Sequence, residues 1–79
     1  MTTPTVEERL RDLIVDHLGV EAERVTPEAH ILDDLGADSL DTIELVMAME
    51  LEFNFEISDS DVEDAKTVAD LLALIPRAT

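Results

Sequence analysis

Cysteine, tryptophan and tyrosine are absent from this chain of 79 residues, and Phe53 and Phe55 are its only aromatic residues. The lack of cysteine excludes disulfide bonds and fits a reducing compartment, so we expect a cytoplasmic location. No long apolar run is present, which predicts no transmembrane helix, and the first ten residues lack the pattern of a signal peptide. A chain this short is expected to form one domain over residues 1–79, with residues 1–4 frayed.

Basic residues are also scarce. The chain has five lysines and arginines and 20 aspartates and glutamates, which gives a formal net charge of −15. Nucleic acids and anionic membranes would repel such a surface, so we expect neither nucleic-acid binding nor membrane insertion. Proteins with basic patches would be attracted and would associate faster. Repulsion between copies of the chain also predicts a monomer.

Apolar residues make up 46% of the chain and recur mostly at helical spacing. This spacing predicts a first helix over residues 5–18 and a second over residues 39–53. A short third helix is predicted over residues 59–65, and a last helix begins at Thr67 and ends at Pro76. The sequence therefore predicts an all-α fold, a small up-down bundle of three main helices plus one short helix.

A long loop, residues 20–36, connects the first two helices and shows no clear periodicity. Loops of this length inside a small domain are usually functional or held in place by side chains. The apolar residues expected to pack back on the core are Val25, Ile31, Leu32 and Leu35. The two histidines, His17 and His30, are interpreted as structural residues.

The second helix is apolar on two sides, whereas a surface helix of a small domain needs only one apolar side. At about 100° per residue, one side carries Thr42, Leu45, Val46, Met49 and Phe53. The other side carries Leu40, Ile43, Met47 and Leu51. Acidic residues flank the two sides and exclude full burial, because unpaired buried carboxylates cost too much free energy. The second apolar side is therefore interpreted as a docking surface with an acidic rim.

Ser39 stands at the predicted start of that helix, between Asp38 and Asp41. Asp38 is suited to cap the helix, and Asp41 falls at the third helical position, so the Ser39 hydroxyl is expected in water without a nearby base. A hydrolase elbow would need glycines around the serine, and the adjacent acids would destabilise an oxyanion. Either another enzyme modifies Ser39, or it is a polar surface residue.

The acidic residues do not have the spacing of a calcium loop. A loop that begins at Asp33 has Leu35 at its third position, and one that begins at Asp59 has Asp64 where glycine is required. No specific metal site is therefore predicted. Phosphorylation is an alternative fate for the serines, and Ser60, which lies among acids, is a better kinase target than the serine of the second helix.

Residues 33–47, DDLGADSLDTIELVM, closely resemble the attachment segment of acyl carrier proteins, above all the stand-alone carriers of dissociated, bacterial-type fatty acid synthesis. The resemblance extends over nearly the whole chain. It implies that Ser39 receives 4′-phosphopantetheine from coenzyme A through a separate, magnesium-dependent phosphopantetheinyl transferase. The thiol of this prosthetic group would carry acyl intermediates as thioesters, and the chain itself would perform no catalysis.

The resemblance also implies partners and surfaces. The partners are the transferase, acyltransferases and the enzymes of fatty acid synthesis (malonyl transferase, ketosynthases, ketoreductase, dehydratase and enoyl reductase), each with a basic patch. The implied docking residues are Asp38, Leu40, Asp41, Ile43, Glu44, Met47, Glu50 and Leu51. The acyl chain would be sheltered between the helices by Val46, Met49, Phe53, Ile57, Val62, Ala65 and Leu71.

Two positions depart from the family pattern. Leu51 lies where fatty acid carriers commonly have a glutamate, and Ala65 lies where they often have a bulky aliphatic residue. Because Ala65 could reshape the mouth of the acyl cavity, no acyl chain length is inferred. Two other functions stay open: a carrier of polyketide or specialised-lipid synthesis, and an acidic helical adaptor without a cofactor.

Overall fold

The computed structural model describes residues 5–76. Its four α-helices are α1 (Val6–Leu18), α2 (Ser39–Phe53), α3 (Asp59–Asp64) and α4 (Val68–Leu74), and one 3₁₀ turn lies at Ala22–Arg24. Within residues 5–76 there is no β-strand, only an isolated bridge between His30 and Thr67. The predicted all-α fold is confirmed, whereas the expectation for residues 1–4 lies outside the described part of the chain.

The first helix begins and ends at residues suited to its two ends. Thr5 Oγ1 accepts a hydrogen bond from the Glu8 backbone N–H at 3.2 Å, which caps the N-terminus. At the other end, Gly19 has a φ of 66°, a left-handed conformation that glycine adopts at little cost. Leu10 and Ile14 carry the buried side of α1, which packs against both α2 and α4.

The core is one cluster to which all the long helices contribute. Leu45 and Met49 of α2 are completely buried there, together with Leu71 of α4. Burial of an aliphatic side chain of this size contributes about 1.5–3 kcal/mol to folding. Phe55 and Ile57, which follow α2, are half-buried and pack against the cluster.

The long connection is held to the core at most of the predicted positions. Val25, Ile31 and Leu35 are buried, but Leu32 is 51% exposed. The N–H groups of Asp34 and Leu35 both donate to the His30 carbonyl, so the chain turns tightly here and Leu32 remains on the outer side. The expectation that Leu32 packs on the core is therefore wrong. Two small residues that the pattern did not identify, Ala29 and Ala37, are also buried.

Backbone hydrogen bonds join this connection to the segment between α3 and α4. The Ile31 N–H donates to the Lys66 carbonyl at 2.9 Å, and the Val68 N–H donates to the Ala29 carbonyl at 3.0 Å. The bridge between His30 and Thr67 lies between these two bonds. These contacts bring the chain that leads into α2 next to the end of α3.

The third helix contributes least to the core, since none of its residues is buried. Ser58 Oγ accepts a hydrogen bond from the Asp61 N–H at 3.2 Å and so caps the helix. The helix ends at Asp64, one residue before the predicted end, and Ala65 is its C-cap. Because α3 lies outside the buried cluster, a gap remains between α3 and the start of α2.

Candidate functional site

Ser39 is the first residue of α2, and its side chain is exposed. The residues on either side cap the helix reciprocally: the Asp41 N–H donates to Asp38 Oδ1 at 2.8 Å, and the Asp38 N–H donates to Asp41 Oδ2 at 3.2 Å. This is the capping arrangement that the sequence predicted. Each carboxylate therefore has one oxygen engaged in holding the start of the helix.

Polar side chains hold the turn before α2 in one geometry. Asp34 Oδ2 accepts a hydrogen bond from the His30 N–H at 2.8 Å, and Arg24 Nη2 donates to the Asp34 carbonyl at 2.8 Å. Gly36 completes the turn with a φ of 74°, where a side chain would be strained. Sequence reasoning did not identify Arg24 or Asp34, because isolated polar residues in an aperiodic loop carry no signal. Ser39 therefore follows a supported turn.

A cavity of about 420 Å³ opens beside Ser39. Its walls are residues 30–33, the first turn of α2, and the end of α3 with the two residues that follow it. The lining is mixed, since Leu32 and Ile43 are apolar whereas Asp33 is charged. Pockets of about 300–1,000 Å³ are the ordinary size for small ligands and cofactors.

Comparison with known proteins agrees with this geometry. A family model described as the phosphopantetheine attachment site matches residues 8–75. A curated acyl carrier protein from Akkermansia muciniphila is 49% identical over 77 residues, which cover 98% of this chain and 96% of that protein. A solved structure from Mycobacterium tuberculosis, described as a candidate acyl carrier protein, is 33% identical with a TM-score of 0.83 and covers 87% of this chain and 92% of that chain. The chain belongs to the acyl carrier protein family.

The family match confirms the resemblance of residues 33–47 and identifies 4′-phosphopantetheine as the cofactor. The residues of this acyl carrier fit such a group. Ser39 presents an exposed hydroxyl on the wall of a cavity that has room for part of a flexible arm. When bound, the group supplies a terminal thiol, which the cysteine-free chain lacks.

The residues predicted to shelter an acyl chain lie in different environments. Val62 and Ala65 line the cavity beside Ser39. Met49 and Leu71 are buried in the core instead. The other three are Val46, which is buried, and Phe53 and Ile57, which are half-buried. An acyl chain that extends beyond Val62 and Ala65 would therefore have to displace closely packed core side chains.

The second apolar side of α2 is exposed over its whole length. Each of its four residues is more than half exposed, and we call them the exposed stripe: Leu40, Ile43, Met47 and Leu51. At 85% exposure, Leu51 retains almost no contact with the rest of the protein. On the opposite side, Leu45, Val46 and Met49 are buried. Within residues 5–76, α2 therefore has one side buried in the core and one side that is mostly exposed.

The acidic residues predicted around the exposed stripe differ in their local bonds. Glu44 is exposed, whereas Asp38 and Asp41 cap the helix. Glu50 Oε2 accepts a hydrogen bond from the Ile57 N–H at 3.0 Å, which holds the chain that follows α2. Aspartate and glutamate each count as one negative charge in the formal net charge of −15, so all four place negative charge around the stripe.

Acidic side chains are numerous but dispersed. Among residues 5–76, no three histidine, aspartate or glutamate side chains come together in a group that could hold a metal ion. None of the helices in this part of the chain has the length and apolar character needed to cross a bilayer. In the described part of the chain, negative charge is therefore spread over the surface and is not gathered at one metal-binding cluster.

Asp70 stabilises the segment between α3 and α4, which includes the cavity residue Lys66. Its Oδ2 accepts hydrogen bonds from the Lys66 N–H at 2.9 Å and from the Thr67 N–H at 3.1 Å. These two bonds lower the pKa of Asp70 below its ordinary value of 3.8, and the charge of His30 adds to the effect. The bond to Thr67 is part of a capping box at the start of α4, whereas the bond to Lys66 lies outside that box.

Proposed function

We propose that Ser39 is the attachment residue for 4′-phosphopantetheine and that the chain carries acyl intermediates of fatty acid biosynthesis. The observation that carries the proposal is the exposed Ser39 hydroxyl at the first helical position, on the wall of a cavity. The family match over residues 8–75 supports the modification. The pathway rests on the resemblance of residues 33–47 to stand-alone fatty acid carriers.

In the attachment step, the chain presents the nucleophile. Ser39 Oγ forms the new bond to phosphorus, its proton passes to a base of the transferase, and adenosine 3′,5′-bisphosphate leaves from coenzyme A. The capping carboxylates Asp38 and Asp41 are engaged with backbone N–H groups and do not act as that base. The transferase and its magnesium ion must therefore supply both the base and the charge stabilisation.

We propose that the chain performs no catalysis of its own. His30 lines the cavity with Ser39, but no hydrogen bond joins the two side chains, and the other histidine, His17, is exposed at the end of α1. An activated serine needs a base within hydrogen-bond reach and donors for an oxyanion. The acidic residues around Ser39 provide neither.

The exposed stripe is the proposed docking surface for the transferase, the acyltransferases and the synthase enzymes. Burial of apolar surface contributes about 25 cal/mol per Å², so the stripe would supply much of the binding free energy. Each exposed ion pair between the acidic rim and a basic patch contributes only about 0.2–1 kcal/mol. Together, however, these charges speed the encounter. Weak docking suits a carrier that must leave each enzyme in turn.

We propose that the cavity beside Ser39 shelters the first part of the bound acyl chain, against Val62 and Ala65. Ala65 has the smallest side chain of the residues that line the cavity. The other predicted lining residues would be reached only if α3 and α2 separated or if core side chains moved. Their assignment therefore depends on a rearrangement of the loosely attached α3.

The proposal is tested by the intact mass of the chain after incubation with coenzyme A, magnesium and a broad-specificity phosphopantetheinyl transferase. We expect the mass of one phosphopantetheine to be added to the wild type and to Ser60→Ala, and none to be added to Ser39→Ala. Ser60 is a matched control because it is also exposed and surrounded by acids. A wild type that folds, starts unmodified and gains no mass would favour the acidic adaptor.

The pathway needs a separate test, because carriers of polyketide or specialised-lipid synthesis share the attachment segment. We expect the acylated carrier to be accepted by the ketosynthases of fatty acid synthesis. Acceptance only by a polyketide ketosynthase would retain the carrier function and overturn the pathway. The test compares elongation rates at equal concentrations of acylated carrier.

A further inference from the structure

Lys66 is the only lysine of the chain, and it lines the same cavity as Ser39. The other lysine or arginine side chains of the described residues, Arg9, Arg11 and Arg24, do not line this cavity. In a chain with a formal net charge of −15, a lone ammonium group beside the attachment residue is unusual.

The backbone of Lys66 is fixed on both sides. Its N–H donates to Asp70 Oδ2 at 2.9 Å, and its carbonyl accepts from the Ile31 N–H at 2.9 Å. Because both backbone groups are held, the position of the Lys66 backbone beside the cavity is fixed. Its Nζ donates to the Glu63 carbonyl at 2.8 Å, at the end of α3, and both residues line the cavity.

The remaining charges near the cavity are mostly negative. Asp33 and Glu63 line it, and Asp38 flanks Ser39 directly. A phosphodiester on Ser39 would add one more negative charge to this region. Opposite charges attract within about a Debye length of 8–10 Å at moderate ionic strength, so an ammonium group on the same cavity would offset part of the repulsion.

We propose that Lys66 pairs with the phosphodiester formed on Ser39 and holds the first part of the prosthetic arm against the cavity wall. This inference rests on the proposed function of Ser39. Lys66 is a positioning residue and takes no part in the chemistry of the thioester. To make this pair, the Lys66 ammonium group would leave the Glu63 carbonyl and turn to the phosphodiester. Little else has to move, because the Lys66 side chain is exposed and the Glu63 carbonyl lies at an accessible helix end.

The single lysine makes the test direct. When lysine is labelled with ¹³C at Cε, the full chain gives one set of NMR signals, which belongs to Lys66. The spectrum is recorded before and after the modification, and intact mass confirms that the modification is complete. Spectra are taken at about 20 mM and about 500 mM sodium chloride, a range over which screening changes from weak to strong. We expect modification to displace the Lys66 signal at low salt, and at least half of that displacement to disappear at high salt.

Two variants of the modified chain, Lys66→Gln and Arg11→Gln, provide the matched comparison. Each removes one positive charge, and Arg11 is an exposed residue of α1 that does not line this cavity. Glutamine at position 66 keeps a donor for the Glu63 carbonyl and leaves the backbone bonds intact. We expect the ³¹P resonance of the phosphodiester to shift in Lys66→Gln and to remain unchanged in Arg11→Gln.

The outcomes distinguish a failure of the Lys66 pairing from a failure of the carrier function. A modified chain whose Lys66 signal does not move overturns the pairing, while the carrier function stands. Equal ³¹P shifts in the two variants also overturn it, because net charge alone would then explain them. A chain that gains no phosphopantetheine overturns the carrier proposal and this inference together.

Discussion

Arg9 of α1 and Glu52 of α2 form an ion pair in which Arg9 Nη2 lies 2.6 Å from Glu52 Oε2. The same nitrogen donates to the Glu52 backbone carbonyl at 3.0 Å, and the guanidinium carbon lies 4.6 Å from the centre of the Phe53 ring. The last carbonyls of a helix have no partner within the helix, and a cation there also interacts favourably with the helix dipole. One side chain therefore joins α1 to the end of α2.

Replacement of Arg9 by alanine is expected to lower the free energy of unfolding by about 1 kcal/mol. This combines an exposed ion pair of about 0.2–1 kcal/mol with a cation–π contact of about 0.5–1 kcal/mol. Urea unfolding measures the change. Arg11→Ala removes the same charge from an exposed position of the same helix, so equal losses in the two variants would show that net charge, and not these contacts, is responsible.

Asp38→Ala is expected to destabilise the chain by about 0.5–2 kcal/mol, because the N-cap of α2 is lost. Asp38→Asn should remain within a few tenths of the wild type, since the amide oxygen can still accept the Asp41 N–H and asparagine is an equally good cap. The measurement is chemical unfolding of both variants. Equal destabilisation in the two would mean that the charge at position 38, and not the capping hydrogen bond, matters.

Leu51→Glu is expected to weaken the binding of the acyl carrier to at least one of its native partner enzymes. Leu51 is the most exposed residue of the stripe, so a contact made through it is apolar and would be lost on substitution. Titration calorimetry of the modified carrier with each synthase enzyme provides the affinities. Ala73→Glu adds the same charge at an exposed position of α4 and serves as the control. Affinities unchanged by Leu51→Glu in every case would contradict the assignment of Leu51.

The lowered pKa of Asp70 predicts a contribution to stability that depends on pH. The folded pKa lies below the ordinary value of 3.8, so ionised Asp70 stabilises the fold above that value and loses its effect as the pH falls through the folded pKa. Asp70→Asn cannot titrate. The difference in unfolding free energy between wild type and Asp70→Asn is expected to shrink as the pH falls from about 5 to about 2. A difference that stays constant over this range would show that Asp70 has no shifted pKa.

Local signals in the sequence determined most of the fold. Thr5 and Asp38 cap their helices as their spacing to Glu8 and Asp41 predicts, because a cap involves residues only three apart. The two apolar sides of α2 follow directly from helical periodicity, and so does the exposed position of Ser39. The attachment segment is equally local, which is why the family could be identified from residues 33–47 alone.

The tertiary structure alone decided which distant residues meet. Leu32 and Ile31 are adjacent and both apolar, yet the turn closed on the His30 carbonyl buries one and exposes the other. Arg9 reaches Glu52 across 43 positions, and Lys66 reaches the cavity of Ser39 because the Ile31 N–H holds its carbonyl. Such contacts depend on how helices and loops pack against one another. The spacing of neighbouring residues therefore does not show which distant residues come into contact. The sequence therefore determined the elements and the attachment segment, whereas packing decided the cavity and the charge beside it.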